Sequence, residues 1–269
     1  MRIEIKDDLD LEKIKESGQA FRISKDDKGV FRFITGGDVL YISKAGKDAC
    51  EISCSKDKWD SLWHDYFDLD RNYSGLRDEL RGKNRFIDEC MEYGKGIRIL
   101  RQDPFEMLIT FIISQRKNIP AISASVEKLC ESFGKRISSE GEDVFLFPTP
   151  EALARATDDE LKACSLGYRA PYVACAARMV SDGELDLEAL YTMSDEEVFD
   201  RLIKVYGVGK KVANCICLFA YARVGMVPVD VWIGRAIEER FGGESPFESF
   251  GEYAGIIQQY VFYTMKNQS

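Results

Sequence analysis

The sequence predicts an α+β protein: an N-terminal antiparallel β-sheet region with a few helices, followed by an α-helical bundle that contains a helix-hairpin-helix motif. Three observations predict it. Short β-rich runs alternate with turn clusters as far as Cys54. Capped helix starts recur from Asp103 onward. Residues 202–232, LIKVYGVGKKVANCICLFAYARVGMVPVDVW, break one helical stretch at Tyr206-Gly207-Val208-Gly209 and start the next at Lys210-Lys211.

The β-rich runs are 20–24, 30–35, 39–43 and 51–54, and the turn clusters between them are 25–29, 36–38 and 44–47. That spacing is the spacing of hairpins. From Lys56 the apolar period becomes helical. Asp103-Pro104-Phe105-Glu106 reads as a capping box with proline at the first helical position, ahead of MLITFII. Thr149-Pro150 starts another helix, and Thr157–Glu160 and Ser194–Glu197 read as further capping boxes. The segment 134–147 reads as a flexible loop, and the last helix as residues 253–265. The expected division is a sheet domain over 1–98 and a helical domain over 99–269, its C-terminal helix packing back near the site.

Composition narrows the class. The chain has 269 residues, 45% hydrophobic and 31% charged, as in ordinary soluble globular proteins. No apolar run is long enough to span a bilayer, and MRIEIKDDLDLEKIKES lacks the apolar core of a signal peptide. A cytoplasmic location without membrane attachment is expected. The net charge of −9 argues against a chain-wide footprint for DNA. A local basic face is still open to Arg98, Arg101, Arg116, Lys117, Arg169, Lys210 and Lys211, because charges are screened beyond about 10 Å. The 8 cysteines form no CxxC pair and the sole histidine is His64. Metal ligation and His-dependent nucleophilic catalysis are therefore unexpected, and free buried thiols are the plain reading.

Chemistry concentrates at the hairpin. Gly207 and Gly209 let backbone amides face outward at a helix start, where the dipole favours an anion such as phosphate. Lys211, second in the new helix, stands where that dipole disfavours a charged amine, and an amine must be neutral to attack a sugar carbon. Cys215 lies one turn beyond it. Lys210, on another face, reads as a solvated phosphate ligand. Asp230 ends Val-Pro-Val-Asp ahead of the helical pattern VWIGRAIEERF. Its plainest task is an N-cap. A capping carboxylate is fixed and ionised, so it can also stabilise positive charge on a sugar.

These residues resemble the helix-hairpin-helix, Gly/Pro-rich, Asp DNA glycosylase superfamily, and within it the 8-oxoguanine DNA glycosylase/AP lyase family. GVGKKVANCICL and VPVDVW are similar to the family's catalytic segment, and SGQAFRI, YFDLD, IRILRQDPFEMLITFIIS, LGYRAPYVACAAR and GEYAGIIQQYVF agree in order along the chain. The resemblance implies a TBP-like N-terminal sheet, a duplex DNA substrate containing 8-oxoguanine, base excision and strand cleavage through a lysine Schiff base, and action as a monomer. It places Lys211 and Asp230 as catalytic residues. It places the Gly18 carbonyl as acceptor for the N7 proton that distinguishes 8-oxoguanine from guanine. Gln258 would read the flipped base's pairing edge, and Phe262 and Cys215 would lie against its two faces. Tyr168 matches the wedge beside the vacated base. Arg169 and Asn118 match contacts to the partner base or the gap, and Arg22 a brace of the N-terminal part.

The chain departs from the family in places. Arg116-Lys117-Asn118 replaces an Asn run, and Ala121 an arginine that reads the opposite cytosine, so weaker preference for cytosine is expected. Trp232 replaces a histidine that often follows the aspartate, leaving a ring near the 5′ phosphate. No cysteine quartet follows Asp230, so no iron–sulfur cluster is expected, and no cofactor is required. Main-chain carbonyls of Ile203, Val205 and Val208 are expected, from the resemblance alone, to seat a monovalent or divalent cation. Two rival readings are a monofunctional glycosylase, against which Lys211 argues, and a non-catalytic DNA-binding module, which leaves Asp230, Gly18 and Gln258 unexplained.

Overall fold

The structure, a computed structural model, describes residues 1–268. Its first elements are β1 (Arg2–Glu4), α1 (Leu11–Glu16), β2 (Ser24–Lys25), β3 (Phe31–Thr35), β4 (Asp38–Lys44) and β5 (Ala49–Ile52). The strands form one sheet in the order β1-β5-β4-β3-β2. The pairs β1/β5, β4/β5 and β2/β3 are antiparallel. β4 shows why this sequence makes a half-buried strand: Leu40 and Ile42 are buried while Val39, Tyr41 and Ser43 are only partly covered. β1 was not legible in Arg-Ile-Glu. Residues 20–23, expected as strand, are irregular although Ala20, Phe21 and Arg22 are buried. Just before them the Gln19 side-chain amide is tied to the 98–100 backbone: Nε2 donates to Arg98 O (2.9 Å) and Oε1 accepts from Leu100 N (2.8 Å).

Helical structure begins with α2 (Lys56–Lys58), a π-helical turn (Trp59–Trp63) and α3 (His64–Tyr66), followed by α4 (Tyr73–Leu80) and α5 (Arg85–Tyr93). Trp59, Trp63, Tyr66 and Phe67 form an aromatic cluster with centroid separations of 5.2 to 6.5 Å. His64 lies outside it, 3.9 Å from Asp70.

The second series is α6 (Pro104–Ser114), α7 (Ile119–Phe133), β6 (Arg136–Ser139), β7 (Glu142–Phe145), α8 (Pro150–Arg155), α9 (Asp158–Ala163), α10 (Ala170–Ser181), α11 (Asp195–Ile203) and α12 (Lys210–Phe219). α6 is buried along its whole length, as a helix apolar on all sides must be. It packs against α7, α10 and α12. Asp103 caps it through Oδ1 and Glu106 N (2.8 Å). Both capping boxes read at Thr157 and Ser194 are present. The expected loop over 134–147 is instead a β6/β7 hairpin, paired from Arg136↔Phe145 to Ser139↔Glu142. Its turn residues Glu140 (φ 47) and Gly141 (φ 81) both have positive φ, as a two-residue hairpin turn requires. Charge and turn residues dominate that stretch and masked its short alternation.

The chain closes with α13 (Val231–Phe241), a 3₁₀ stretch (Phe247–Tyr253) and α14 (Ala254–Gln268). Among the described residues, 1–32, 40–101 and 222–268 cluster as one compact unit, and 33–39 with 102–221 as another. In the first, α14 packs on α5, α13 and the 3₁₀ stretch. Gly94 permits that approach, since a Cβ there would lie 2.5 Å from the Tyr260 ring. Among the described residues no helix is long and apolar enough to cross a membrane. All eight cysteines are free thiols, and Cys50, Cys90, Cys130, Cys164, Cys215 and Cys217 are buried.

Arg98, expected as a candidate for a basic face, is wholly buried (0% exposed). Its Nε donates to Phe67 O (2.9 Å), Nη1 to Asp7 Oδ2 (3.1 Å) and Asp8 O (3.0 Å), and Nη2 to Asp68 O (2.6 Å) and Arg71 O (2.7 Å). Arg101, another candidate, pairs with Asp65 and Asp68. Burial pushes the Asp7 carboxyl up, but bonds from Asp8, Tyr73, Ser74 and Arg98 outweigh this and hold it below the ordinary value of 3.8. A carboxyl depressed in the folded state adds stability that is complete above its unfolded pKa and is lost as pH falls through the folded value. Asp7→Asn is therefore expected to lower stability at neutral pH and to flatten its decline below about pH 4, read from urea midpoints against pH.

Candidate active site

In the second unit the site is built around the junction of α11 and α12. The backbone leaves α11 through Val205, whose N–H bonds Leu202 O (3.1 Å) and whose carbonyl accepts from Val208 N (3.0 Å). That bond leaves the Val205 carbonyl a second lone pair. Gly207 has φ +88, and a Cβ there would lie 2.5 to 2.8 Å from the Tyr172 side chain. Gly207 is thus required twice, by its conformation and by the ring beside it. At Gly209 a Cβ would meet nothing within 4 Å. Gly209 is also the N-cap of α12, and no side chain caps it. The first amides of α12 therefore keep donors that an anion can take.

Lys210 is exposed at this helix start, and Lys211 is half-buried. The Lys211 Nζ lies 5.4 Å from the centre of the Phe111 ring, itself stacked on Phe219 at 5.6 Å. The ring quadrupole attracts the ammonium form of Lys211 while its stem is packed. Cys215, one turn further on, is buried. The Gln115 Nε2 donates to Gly207 O (3.0 Å) and Ile112 O (3.0 Å), tying the hairpin to the end of α6.

The residues expected to meet a partner strand divide into two groups. Tyr168 is 52% exposed. Asn118 is exposed, and its Oδ1 caps α7 through Ala121 N (2.9 Å). Arg116 is exposed at φ 53, a strained value for a residue with a side chain. Arg169, by contrast, is buried: its guanidinium donates to the carbonyls of Gln115 and Leu166 and lies 4.3 Å from the Tyr168 ring centre. Its donors are therefore engaged with the loop that carries Tyr168 rather than presented outward. Burial, with Arg169 and Lys128 nearby, lowers the Lys117 pKa, and its Nζ donates to Ser165 O (2.7 Å).

In the first unit the counterpart residues come from α1, α13 and α14. Asp230 is the N-cap of α13, its Oδ1 accepting from Ile233 N (2.9 Å). Trp232 is half-buried on the next turn. Gln258 is 3% exposed, and its Nε2 donates to Pro228 O (3.1 Å), two residues before Asp230. The Gln258 Oε1 is buried without a hydrogen-bond partner. A buried acceptor left open costs about 1–3 kcal/mol, so this oxygen is available to a donor. Phe262, one turn later on α14, is half-buried. Gly18 follows the α1 C-cap Ser17 and takes φ 74, the left-handed conformation that ends helices. Arg22 is buried.

Sequence reasoning passed over Gln115 and Gln259. Each is a polar residue beside an apolar helical run, and that contrast was the available signal. It also passed over Tyr206, exposed on the hairpin with its ring 4.7 Å from that of Tyr172.

Residues 109–248 match the model of the HhH-GPD superfamily base excision DNA repair proteins, and the chain belongs to that superfamily. Residues 2–108 match the 8-oxoguanine DNA glycosylase N-terminal domain. A probable N-glycosylase/DNA lyase of Methanothermobacter thermautotrophicus is 30% identical over 73% of this chain and 70% of its own length. The N-glycosylase/DNA lyase of Saccharomyces cerevisiae is 37% identical over 63% of this chain, but only 48% of its own length is matched. The crystal structure of Clostridium acetobutylicum 8-oxoguanine glycosylase/lyase, with double-stranded DNA containing cytosine opposite 8-oxoguanine, superposes with a TM-score of 0.90 at 31% identity. That alignment covers 100% of this chain and 99% of that one.

The hairpin geometry carries a stability prediction. Gly207→Ala combines a strained φ with a collision at Tyr172, and is expected to destabilise the protein by about 1–2 kcal/mol or more, measured by thermal unfolding.

Proposed function

We propose that the chain is a bifunctional DNA glycosylase/AP lyase that excises 8-oxoguanine from duplex DNA in base excision repair. The observation that carries the reading is Lys211: a half-buried primary amine on an uncapped helix start, its Nζ over Phe111. A lysine there makes the enzyme a lyase as well as a glycosylase. The names of the relatives, N-glycosylase/DNA lyase, agree.

In this mechanism the hairpin amides and Lys210 grip a backbone phosphate while the lesion is turned out of the stack, at a cost of a few kcal/mol. Tyr168 fills the gap, with Asn118, Arg116 and Trp232 contacting the strands around it. The Gly18 carbonyl accepts the N7–H of 8-oxoguanine. Guanine would set a lone pair against that carbonyl, costing about 1–3 kcal/mol. The open Gln258 Oε1 accepts a donor on the pairing edge, and Phe262 and Cys215 flank the ring. The Lys211 amine, once its proton is removed, attacks C1′ through the Nζ lone pair. The C1′–N9 bond breaks, its electron pair leaving with the base, which takes up a proton. Asp230, fixed by its capping bond, stabilises the positive charge on the sugar. The C1′–O4′ bond then breaks as a proton passes from Nζ to O4′, leaving an iminium between Nζ and C1′; loss of a C2′ proton expels the 3′ phosphate, and water hydrolyses the Schiff base to release the enzyme. We also propose the carbonyls of Ile203, Val205 and Val208 as the seat of a monovalent or divalent cation that stiffens the hairpin. We place the protein in the cytoplasm, associated with the nucleoid when bound to DNA.

Two measurements test this. Lys211→Gln is expected to bind 8-oxoguanine duplex yet form no borohydride-trapped adduct, whereas the unaltered chain is trapped and nicks the strand without alkali; efficient trapping of the variant would refute the assignment. Lys210→Ala is expected to reduce the slope of log K against log salt by about one, the signature of a lost phosphate contact.

A further inference from the structure

α14 carries two adjacent buried glutamines, and the mechanism above uses only the first. Gln259 is 3% exposed, and its Nε2 donates to Ser17 O at 2.6 Å. That carbonyl belongs to the peptide group joining Ser17 to Gly18. On the other side of Gly18, Gln19 is anchored by its side chain: Nε2 donates to Ser17 Oγ (2.9 Å) and Arg98 O (2.9 Å), and Oε1 accepts from Leu100 N (2.8 Å). The Ser17 Oγ in turn donates to Ile14 O (2.7 Å). Ser17 and Gln19 are both wholly buried, while Gly18 between them is partly exposed at φ 74.

This arrangement answers a physical difficulty. Glycine is the most permissive residue, so the direction of the Gly18 carbonyl is weakly set by its own backbone. A hydrogen bond is strong only over a few tenths of an ångström and weakens steeply off axis. A glycine carbonyl can therefore separate two purines that differ by one proton only if the peptide groups on both sides are held from outside. The Gln19 side chain holds one side. On the other, the Gln259 Nε2 is the donor to the Ser17 carbonyl.

We propose that Gln259 is a positioning residue for lesion discrimination, fixing the Ser17–Gly18 peptide so that the Gly18 carbonyl stands where an N7–H meets it. The proposal rests on the reading of Gly18 as the sensing carbonyl. A purely structural Gln259, satisfying a carbonyl at the end of α1, would affect every activity of the protein alike. A positioning Gln259 affects only the step that inspects a base.

The test uses the full chain under single-turnover conditions on two duplexes of one sequence, one holding 8-oxoguanine and one a preformed abasic site. Gln259→Met keeps the volume and removes the donor. Base removal is expected to fall roughly three- to tenfold, with β-elimination at the abasic site unchanged. With Lys211→Gln as background, the binding preference for 8-oxoguanine over guanine is expected to shrink by a similar factor. Equal losses in both reactions, or no loss in either, would overturn the proposal. Gln259→Glu, nearly isosteric, supplies a second arm and carries the test if the methionine variant does not fold. A protonated carboxyl can donate to Ser17 O and a carboxylate cannot, and burial raises the carboxyl's pKa towards neutrality. The ratio of base removal to β-elimination in that variant should rise from about pH 8 to about pH 6, relative to the unaltered chain; a flat ratio would count against positioning. If the unaltered chain leaves 8-oxoguanine in place, the functional reading itself fails, and that is seen before any variant is made.

Discussion

The buried guanidinium of Arg98 is the interaction on which the first unit depends. Arginine has five N–H groups in a rigid fork, and here each meets an acceptor: carbonyls of Asp8, Phe67, Asp68 and Arg71, and the Asp7 carboxylate. The cation also stacks on Tyr73, 4.2 Å from the ring centre. Breaking such a buried, fully bonded group costs about 3–5 kcal/mol, a large share of a typical domain's stability. Its location matters as much as its strength. The main-chain carbonyl of Arg98 accepts from Gln19, so the residue that gathers the 67–71 turn also anchors the loop bearing Gly18. On the proposed reading of Gly18, fold and recognition share one support in this unit.

The acidic balance of the chain is reconciled with a nucleic-acid substrate by where its cations stand. Arg98 and Arg101 are neutralised inside the first unit by Asp7, Asp65 and Asp68. Among the exposed cations of the second unit, Arg116 stands just past the end of α6 and Lys210 at the start of α12. Over a screening length of about 10 Å a phosphate responds to these groups and not to the distant carboxylates that set the sum. Lys117 and Lys128 add charge around Ser165, which takes φ 63 although it has a side chain. Strained backbone at Arg116 and Ser165, beside cations, is where a binding surface concentrates its unfavourable geometry.

What the sequence made legible was governed by local chemistry. The α11–α12 hairpin, the N-cap at Asp230 and the caps at Thr157 and Ser194 each follow from residues within four positions of one another, and each stands where it was read. The sheet was legible only where alternation ran long enough, as in β4. β1 and the β6/β7 hairpin are too short and too polar for that, and the apolar run at Ala20 was misread because its burial comes from packing. The part of the site that escaped notice is held by contacts distant in sequence. Gln259 reaches Ser17 across 242 positions, and Gln115 reaches Gly207 across 92. Arg169 shows the converse: a cation beside an exposed tyrosine reads as a surface group, yet its donors close on carbonyls that no local pattern reveals.

The two helix starts to which the proposed mechanism assigns the chemistry are in opposite states, and on that reading the contrast gives each a different task. α13 is capped by its own aspartate, so its Ile233 amide is satisfied and the carboxylate is held by that bond before any substrate arrives. α12 begins at a glycine with no side-chain cap, so its amides lack a side-chain acceptor at the end where the dipole is positive. A helix left in that condition is completed by whatever anion binds it. On the proposed reading the DNA phosphate is that anion, and seating it brings the backbone to the helix that carries Lys211. The missing cap is then a source of binding energy that is available only when substrate is in place, whereas the filled cap at Asp230 removes any need to reorganise the carboxylate as charge develops on the sugar.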